Sequence, residues 1–149
     1  MYVGLKLPWW GKIKIFNQFC SSWNGYNDEL VWGAAWLAKA GETSYLSKAE
    51  SYYSQFGLDE LTGVFSWDDK AVGCSALLAE LTGKSTYVNA LKTHCDDATS
   101  RQTSQGGEVW WDYPWGSLRY AANSALICLQ VWWDYQCYNC STQLLSTIH

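Results

Sequence analysis

With 149 residues, 10 Lys and Arg against 14 Asp and Glu, and a formal charge of −4, the chain has no basic stripe to neutralise phosphates, which excludes nucleic acid as an expected partner. Its 48% apolar residues exclude a disordered tail and supply one packed globular domain, or part of one. Eleven Trp and ten Tyr exceed what a core of this size needs, and flat aromatic surface is a platform for the C–H faces of sugar rings.

Near the start of the chain Lys6, Lys12 and Lys14 interrupt the apolar residues, so neither a signal peptide nor a membrane-crossing segment is expected there. The alternation Lys12-Ile13-Lys14-Ile15 is the one strand-like stretch. Helical spacing governs the rest. The first predicted helix, 27–40, puts Leu30, Ala34 and Leu37 on one stripe with Val31, Ala35 and Ala38 beside it, and Gly41 stands where a C-terminal cap belongs. It is apolar nearly all round, as an inner helix of a layered helical protein is. The second, 44–56, gathers Leu46, Ala49, Tyr53 and Phe56 at spacings of three and four, keeps its other face polar, and ends at Gly57.

The third predicted helix, 67–82, opens with Ser66 three residues before Asp69, a capping-box spacing with Asp in place of Glu, and carries Cys74, Leu77, Leu78 and Leu81 up to Gly83. A fourth, 85–101, is amphipathic through Val88, Leu91, Cys95 and Ala98. After a polar Gly-Gly loop a fifth, 116–132, aligns Leu118, Ala122, Ala125, Leu129 and Trp132. The six cysteines are too sparse for a small disulfide scaffold and do not reveal a compartment. Cys137-Tyr138-Asn139-Cys140 has the spacing of half a zinc or redox site but finds no second half.

Gly41-Glu42-Thr43-Ser44-Tyr45-Leu46 is answered by Gly83-Lys84-Ser85-Thr86-Tyr87-Val88, a repeat of about forty residues whose unit is a helical hairpin. An inner apolar helix followed by an outer amphipathic one predicts an all-α fold of stacked αα-hairpins, either an open solenoid or a closed toroid. The inner helices of such a stack run parallel. Their N-termini share one rim, which gathers Trp23 to Glu29, Trp67 to Asp69 and Trp115 to Arg119.

Those same pieces, Gly25-Tyr26-Asn27-Asp28-Glu29-Leu30-Val31-Trp32-Gly33-Ala34-Ala35-Trp36-Leu37, Trp67-Asp68-Asp69-Lys70 and Trp115-Gly116-Ser117-Leu118-Arg119-Tyr120-Ala121-Ala122-Asn123, resemble glycoside hydrolase family 9, the cellulases and endo-β-1,4-glucanases. The resemblance spans about residues 19–130. It implies part of an (α/α)6 toroid whose inner helices open on a cleft for cellulose, so the implied partner is a β-1,4-glucan polysaccharide or oligosaccharide and the implied location is extracellular. It also implies a calcium ion (Ca2+) held by Asn24, Gly25, Asp28, Glu29 and Asp68. Oxygen-only ligands suit a hard cation, although acids in a first helical turn are favoured by the macrodipole with no metal at all. Trp23 and Trp115 match positions that flank glucose subsites, Trp67 and Asp69 belong to the same rim, and Arg119 matches a residue that hydrogen-bonds sugar hydroxyls. Core packing is the alternative fate of the tryptophans. Where such enzymes often carry a tyrosine this chain has Cys20, and the aromatic expected near Gly63 is missing.

Inverting glycosidases need a general acid on the leaving oxygen and a separate carboxylate that activates water from the opposite face. The family's Asp-x-x-Asp base motif, its acidic Glu and its Pro-His-His-Arg loop find no match here. Asp28 with Glu29, and Asp68 with Asp69, are sequence neighbours that do not form a facing pair, so no catalytic residue is assigned. The expected identity is the central portion of a family 9 endoglucanase. A noncatalytic carbohydrate-binding protein and a helical-hairpin interaction module are the competing classes.

Overall fold

A computed structural model describes residues 22, 23, 25–60, 63–104, 116 and 118–131. Its helices are α1 (Asn27–Lys39), α2 (Ser44–Gln55), α3 (Ala71–Thr82), α4 (Ser85–Ser104) and α5 (118–131), and no strand occurs among the described residues. The strand-like 12–15 stretch, Cys20, Trp132 and the Cys137–Cys140 pair lie outside them. No helix among the described residues is long and apolar enough to cross a membrane.

The two hairpins predicted from the repeat are α1–α2 and α3–α4. Helix α1 ends in a Schellman turn, with the Gly41 N–H on Ala38 O at 3.1 Å and the Glu42 N–H on Leu37 O at 3.0 Å. Gly57 and Leu58 close α2 the same way, on Ser54 O and Tyr53 O. Helix α1 packs on both α2 and α3. Near their N-terminal ends the Lys70 N–H meets Asp28 Oδ2 at 2.6 Å, and near their C-terminal ends Lys39 Nζ meets Glu80 Oε2 at 2.7 Å. Contacts at matching ends mean that α1 and α3 run parallel, as the inner helices of stacked hairpins must.

The buried stripe of α1 is Val31, Ala34, Ala35 and Ala38, while Leu30 and Leu37 are exposed. Of the expected Leu30–Ala34–Leu37 stripe only Ala34 goes inside, because the small side chains let α2 and α3 approach the α1 backbone. In α3 every residue from Val72 to Leu78 is buried. The core joins Val31, Ala35, Ala49, Tyr53, Cys74, Leu78 and Tyr87. Beside it Val72, Ala76, Leu91 and Ile127 bring in α4 and α5.

Two differences from the sequence reading concern helix ends and faces. Helix α3 begins at Ala71 rather than 67, because Ser66 Oγ accepts the N–H groups of Asp68 and Asp69 at 3.2 and 3.1 Å and the Ser66 N–H returns to Asp69 O at 2.9 Å. The capping-box pair is spent on a turn. In α5 the aligned stripe Leu118, Ala122, Ala125 and Leu129 is exposed, and the opposite side with Ser124 and Ile127 is buried. That covered side also carries the Cys95–Cys128 disulfide, with a Cα–Cα distance of 5.7 Å, which ties α4 to α5. His94 Nε2 lies 3.3 Å from Ser124 Oγ one residue away.

Tyr53 OH lies 2.8 Å from Ser75 Oγ in the core, and that hydroxyl donates onward to Ala71 O at 3.1 Å. Tyr53→Phe removes the first link without a void, so urea unfolding is expected to show a loss of about 1 kcal/mol with an unchanged denaturant slope. Burial, and secondarily Arg101, hold the His94 imidazole below its ordinary pKa, with Asp97 opposing. The unfolded chain then takes up the proton first as pH falls. Stability from this site is complete above about pH 6.5 and is lost as pH drops from there toward the folded value. Denaturant midpoints between pH 7 and 5 should fall more for the native chain than for His94→Asn.

Candidate functional site

The rim formed by the start of α1, the 63–70 loop and the start of α3 collects most of the residues singled out in the sequence. Asp28 is buried in the first turn of α1; besides receiving the Lys70 N–H, its carbonyl accepts the Cys74 thiol at 3.3 Å. Asp68 Oδ1 accepts the Trp23 N–H at 2.7 Å, tying the segment before α1 to the loop before α3. Asp69 Oδ1 caps the Ala71 N–H at 2.9 Å. The Lys70 ammonium donates to the Trp67 carbonyl and lies 4.0 Å from Glu29 Oε1. A Cβ at Gly63 would overlap the Asp69 carboxylate, so the loop backbone passes close under that acid.

Four acids gather here with one lysine, and two of them, Glu29 and Asp69, hold their protons more tightly than usual. Burial raises Glu29 to about 7, reinforced by a hydrogen bond with Asp28 and by that group's charge, while Lys70 opposes. Asp69 is also raised, first by burial and then by Asp28 and Asp68, against the opposing Ala71 N–H. The Cys74 thiol is pushed far above the usual thiol range by burial and by the same carboxylates. Among the described residues, Glu29 Oε2 and Ser22 Oγ are buried with no hydrogen-bond partner.

Of the expected calcium ligands, Asp28, Glu29 and Asp68 share the rim, Gly25 precedes α1 with φ of +89°, and Asn24 lies outside the described residues. Among the described residues no three His, Cys, Asp or Glu side chains converge closely enough to hold a metal ion by themselves. The donor set still suits a hard cation: it is oxygen-only, and it includes one buried carboxylate oxygen, Glu29 Oε2, with no hydrogen-bond partner among the described residues. Asp28, Asp68 and Asp69 each accept a backbone N–H, an arrangement that fixes chain rather than activates water.

Aromatic surface opens on the same rim. Trp23 is 85% exposed and Trp67 48%. Tyr26, which sequence reading did not assign, is 70% exposed and follows Trp23 closely in the chain. Trp115 lies outside the described residues. Arg119 is exposed, with its guanidinium 4.6 Å over the Tyr120 ring and Nη2 donating to Tyr120 OH at 2.7 Å. Two further side chains shape the rim from behind: Phe65, packed on Trp32, and Asn123, which donates to the Phe65 carbonyl. Neither carries a periodicity or charge signal that marks it in the sequence.

Comparison with known proteins matches this arrangement to one family. Residues 12–147 match glycosyl hydrolase family 9, a wider span than the motifs alone cover. Endoglucanase B of Cellulomonas fimi is 42% identical over 124 residues, 74% of this chain and 12% of that protein. Endoglucanase 1 of Arabidopsis thaliana is 39% identical over 122 residues, 74% of this chain and 24% of that protein. The structure of the endoglucanase from the termite Nasutitermes takasagoensis at pH 2.5 aligns with a TM-score of 0.74 at 38% identity, covering 81% of this chain and 28% of that one. This chain spans about an eighth to a quarter of the length of those curated relatives. The stacked αα-hairpins are therefore part of an (α/α)6 toroid, and the chain belongs to glycosyl hydrolase family 9.

Proposed function

We propose that the chain carries part of the substrate cleft of an endo-β-1,4-glucanase, an enzyme that hydrolyses internal β-1,4-glucosidic bonds of cellulose with inversion. The observation that carries this reading is the pair of exposed tryptophans, Trp23 and Trp67, held to one another through the Trp23 N–H and Asp68. Their rings offer the apolar faces on which successive glucose units stack, and the exposed Arg119, by its resemblance to a residue that hydrogen-bonds sugar hydroxyls, adds a guanidinium donor. Asp69, counted with the substrate-binding residues of the rim, also caps the Ala71 N–H at the start of α3 with its Oδ1. Asp28, Asp68 and Asp69 hold backbone and Glu29 faces Lys70, so none of the four rim acids is given an acid or base role. Secretion accords with the Cys95–Cys128 disulfide, since such bonds persist in oxidising compartments.

The same reading includes calcium as a structural ion, with Asp28, Glu29 and Asp68 and the carbonyls of Asn24 and Gly25 as the holding groups. The ion supplies positive charge where Glu29 otherwise keeps a proton. With it in place, Glu29 is held as a carboxylate and the two helix starts stay together.

Titration with cellohexaose tests the aromatic assignment. Trp23→Ala and Trp67→Ala are each expected to weaken binding by about fivefold, the order of one stacking contact; unchanged affinity in both would mean that the rings only pack. Thermal melts test the ion. At a hundredfold excess over Kd calcium should raise Tm by about 5–10 °C, and magnesium much less because it demands compact octahedral geometry. Asp28→Asn should lose most of that response. Asp97→Asn, which breaks an exposed pair with Arg101 on α4, should keep it. Equal responses to both ions would reduce these acids to helix caps.

A further inference from the structure

Asn123 sits half-buried on α5, and its side-chain amide donates a 2.7 Å hydrogen bond to the carbonyl oxygen of Phe65, 58 residues earlier in the chain. Phe65 is where the rim loop is anchored. Its ring packs on Trp32 with centroids 5.6 Å apart, and it lies against Gly73, where a Cβ would overlap both the Phe65 and the Trp32 rings. The Phe65 side chain is therefore fixed by α1 and α3, and its carbonyl by α5. Immediately after it, Ser66 closes a tight turn by accepting the Asp68 and Asp69 N–H groups and donating its own N–H to Asp69 O. Trp67 lies inside that closed turn, with its carbonyl taken by Lys70. Rotation of the Phe65 peptide plane has no slack in the turn to absorb it, so it reappears as reorientation of the exposed Trp67 ring.

We propose that Asn123 is a positioning residue for glucan recognition: by fixing the Phe65 carbonyl it sets the direction in which Trp67 faces the sugar. The proposal rests on the reading of Trp67 as a stacking platform. The chemistry requires a donor at this place, since the Phe65 oxygen is an acceptor, and an oxygen on the side chain facing it would repel it. Asn123 supplies that donor from α5, a helix that the disulfide ties to α4.

The test incorporates 5-fluorotryptophan into the full chain and follows the fluorine resonance of Trp67, assigned by its loss in Trp67→Phe, together with cellohexaose affinity. Asn123→Asp keeps the shape and loses the donor; Asn123→Leu loses the donor without adding charge and serves if the first variant does not fold. Both are expected to shift the Trp67 resonance and to weaken cellohexaose binding about three- to tenfold, the range for a misaligned stacking contact. A double Cys95→Ala/Cys128→Ala variant loosens α5 without touching Phe65. It should lower Tm and leave the Trp67 resonance in place. An unmoved resonance in the Asn123 variants, or an equal movement in the cysteine variant, would overturn the proposal and leave Asn123 a packing residue. If the native chain does not bind cellohexaose, the platform reading fails, and the resonance alone decides whether Asn123 positions Trp67.

Discussion

The hydrogen bond from the Lys70 N–H to Asp28 Oδ2 is the contact on which the rest of the rim depends. Parallel inner helices place two N-termini side by side, and each carries a partial positive charge and unsatisfied N–H groups. Asp28 answers both. It lies in the first turn of α1, where its charge is favoured, and it takes the N–H of the residue that precedes α3. Burying a carboxylate there is tolerable because positive ends surround it on two sides. With those ends joined, the loop before α3 is brought against the segment before α1, and Asp68 can reach the Trp23 N–H.

That arrangement buries more negative charge than one lysine balances, and burial first, then the neighbouring carboxylates, raise the proton affinities of Glu29 and Asp69. A site built this way is electrostatically unfinished. Glu29 answers its burial by holding a proton up to about pH 7, and its Oε2 has no hydrogen-bond partner among the described residues. At the other end of the same helix pair Lys39 and Glu80 balance each other, so the imbalance is local to the rim and not a general property of α1 and α3.

The hairpin repeat, the helix lengths to within a few residues and the shared rim were legible in the sequence because each rests on periodicity or on a motif with a fixed offset. What was not legible rests on a competition that periodicity does not encode. Ser66 and Asp69 have capping-box spacing, yet a tight turn claims the same groups and moves the start of α3 to Ala71. Helix α1 has apolar residues on several faces, and alanine-lined closeness, not hydrophobicity, selected the buried one. The Cys95–Cys128 pairing depends on two helices whose relative placement spacing does not give. Glu29 was found as a candidate; that one of its oxygens is left without a partner required the fold.

Helix α5 shows how these levels combine. It is apolar on nearly every side, and a helix of that composition is buried on most of its surface in a complete helical layer. Among the described residues only one side is covered, and that side is the polar one. Asn123 reaches the rim loop, Ser124 meets His94, and Cys128 is bonded to Cys95. Apolar contact through Ile127 holds α5 near α3 and α4, but it has no direction and would tolerate sliding. The three polar and covalent links are directional, and each engages a different partner. They fix the register of α5 against the hairpin stack, and the Asn123 bond alone carries α5 to Phe65 and the rim loop. The exposed leucines of α5 add nothing to that register. They present an apolar side of the kind that a further hairpin of a toroid covers, so the same helix serves as a locked joint on one side and a packing surface on the other.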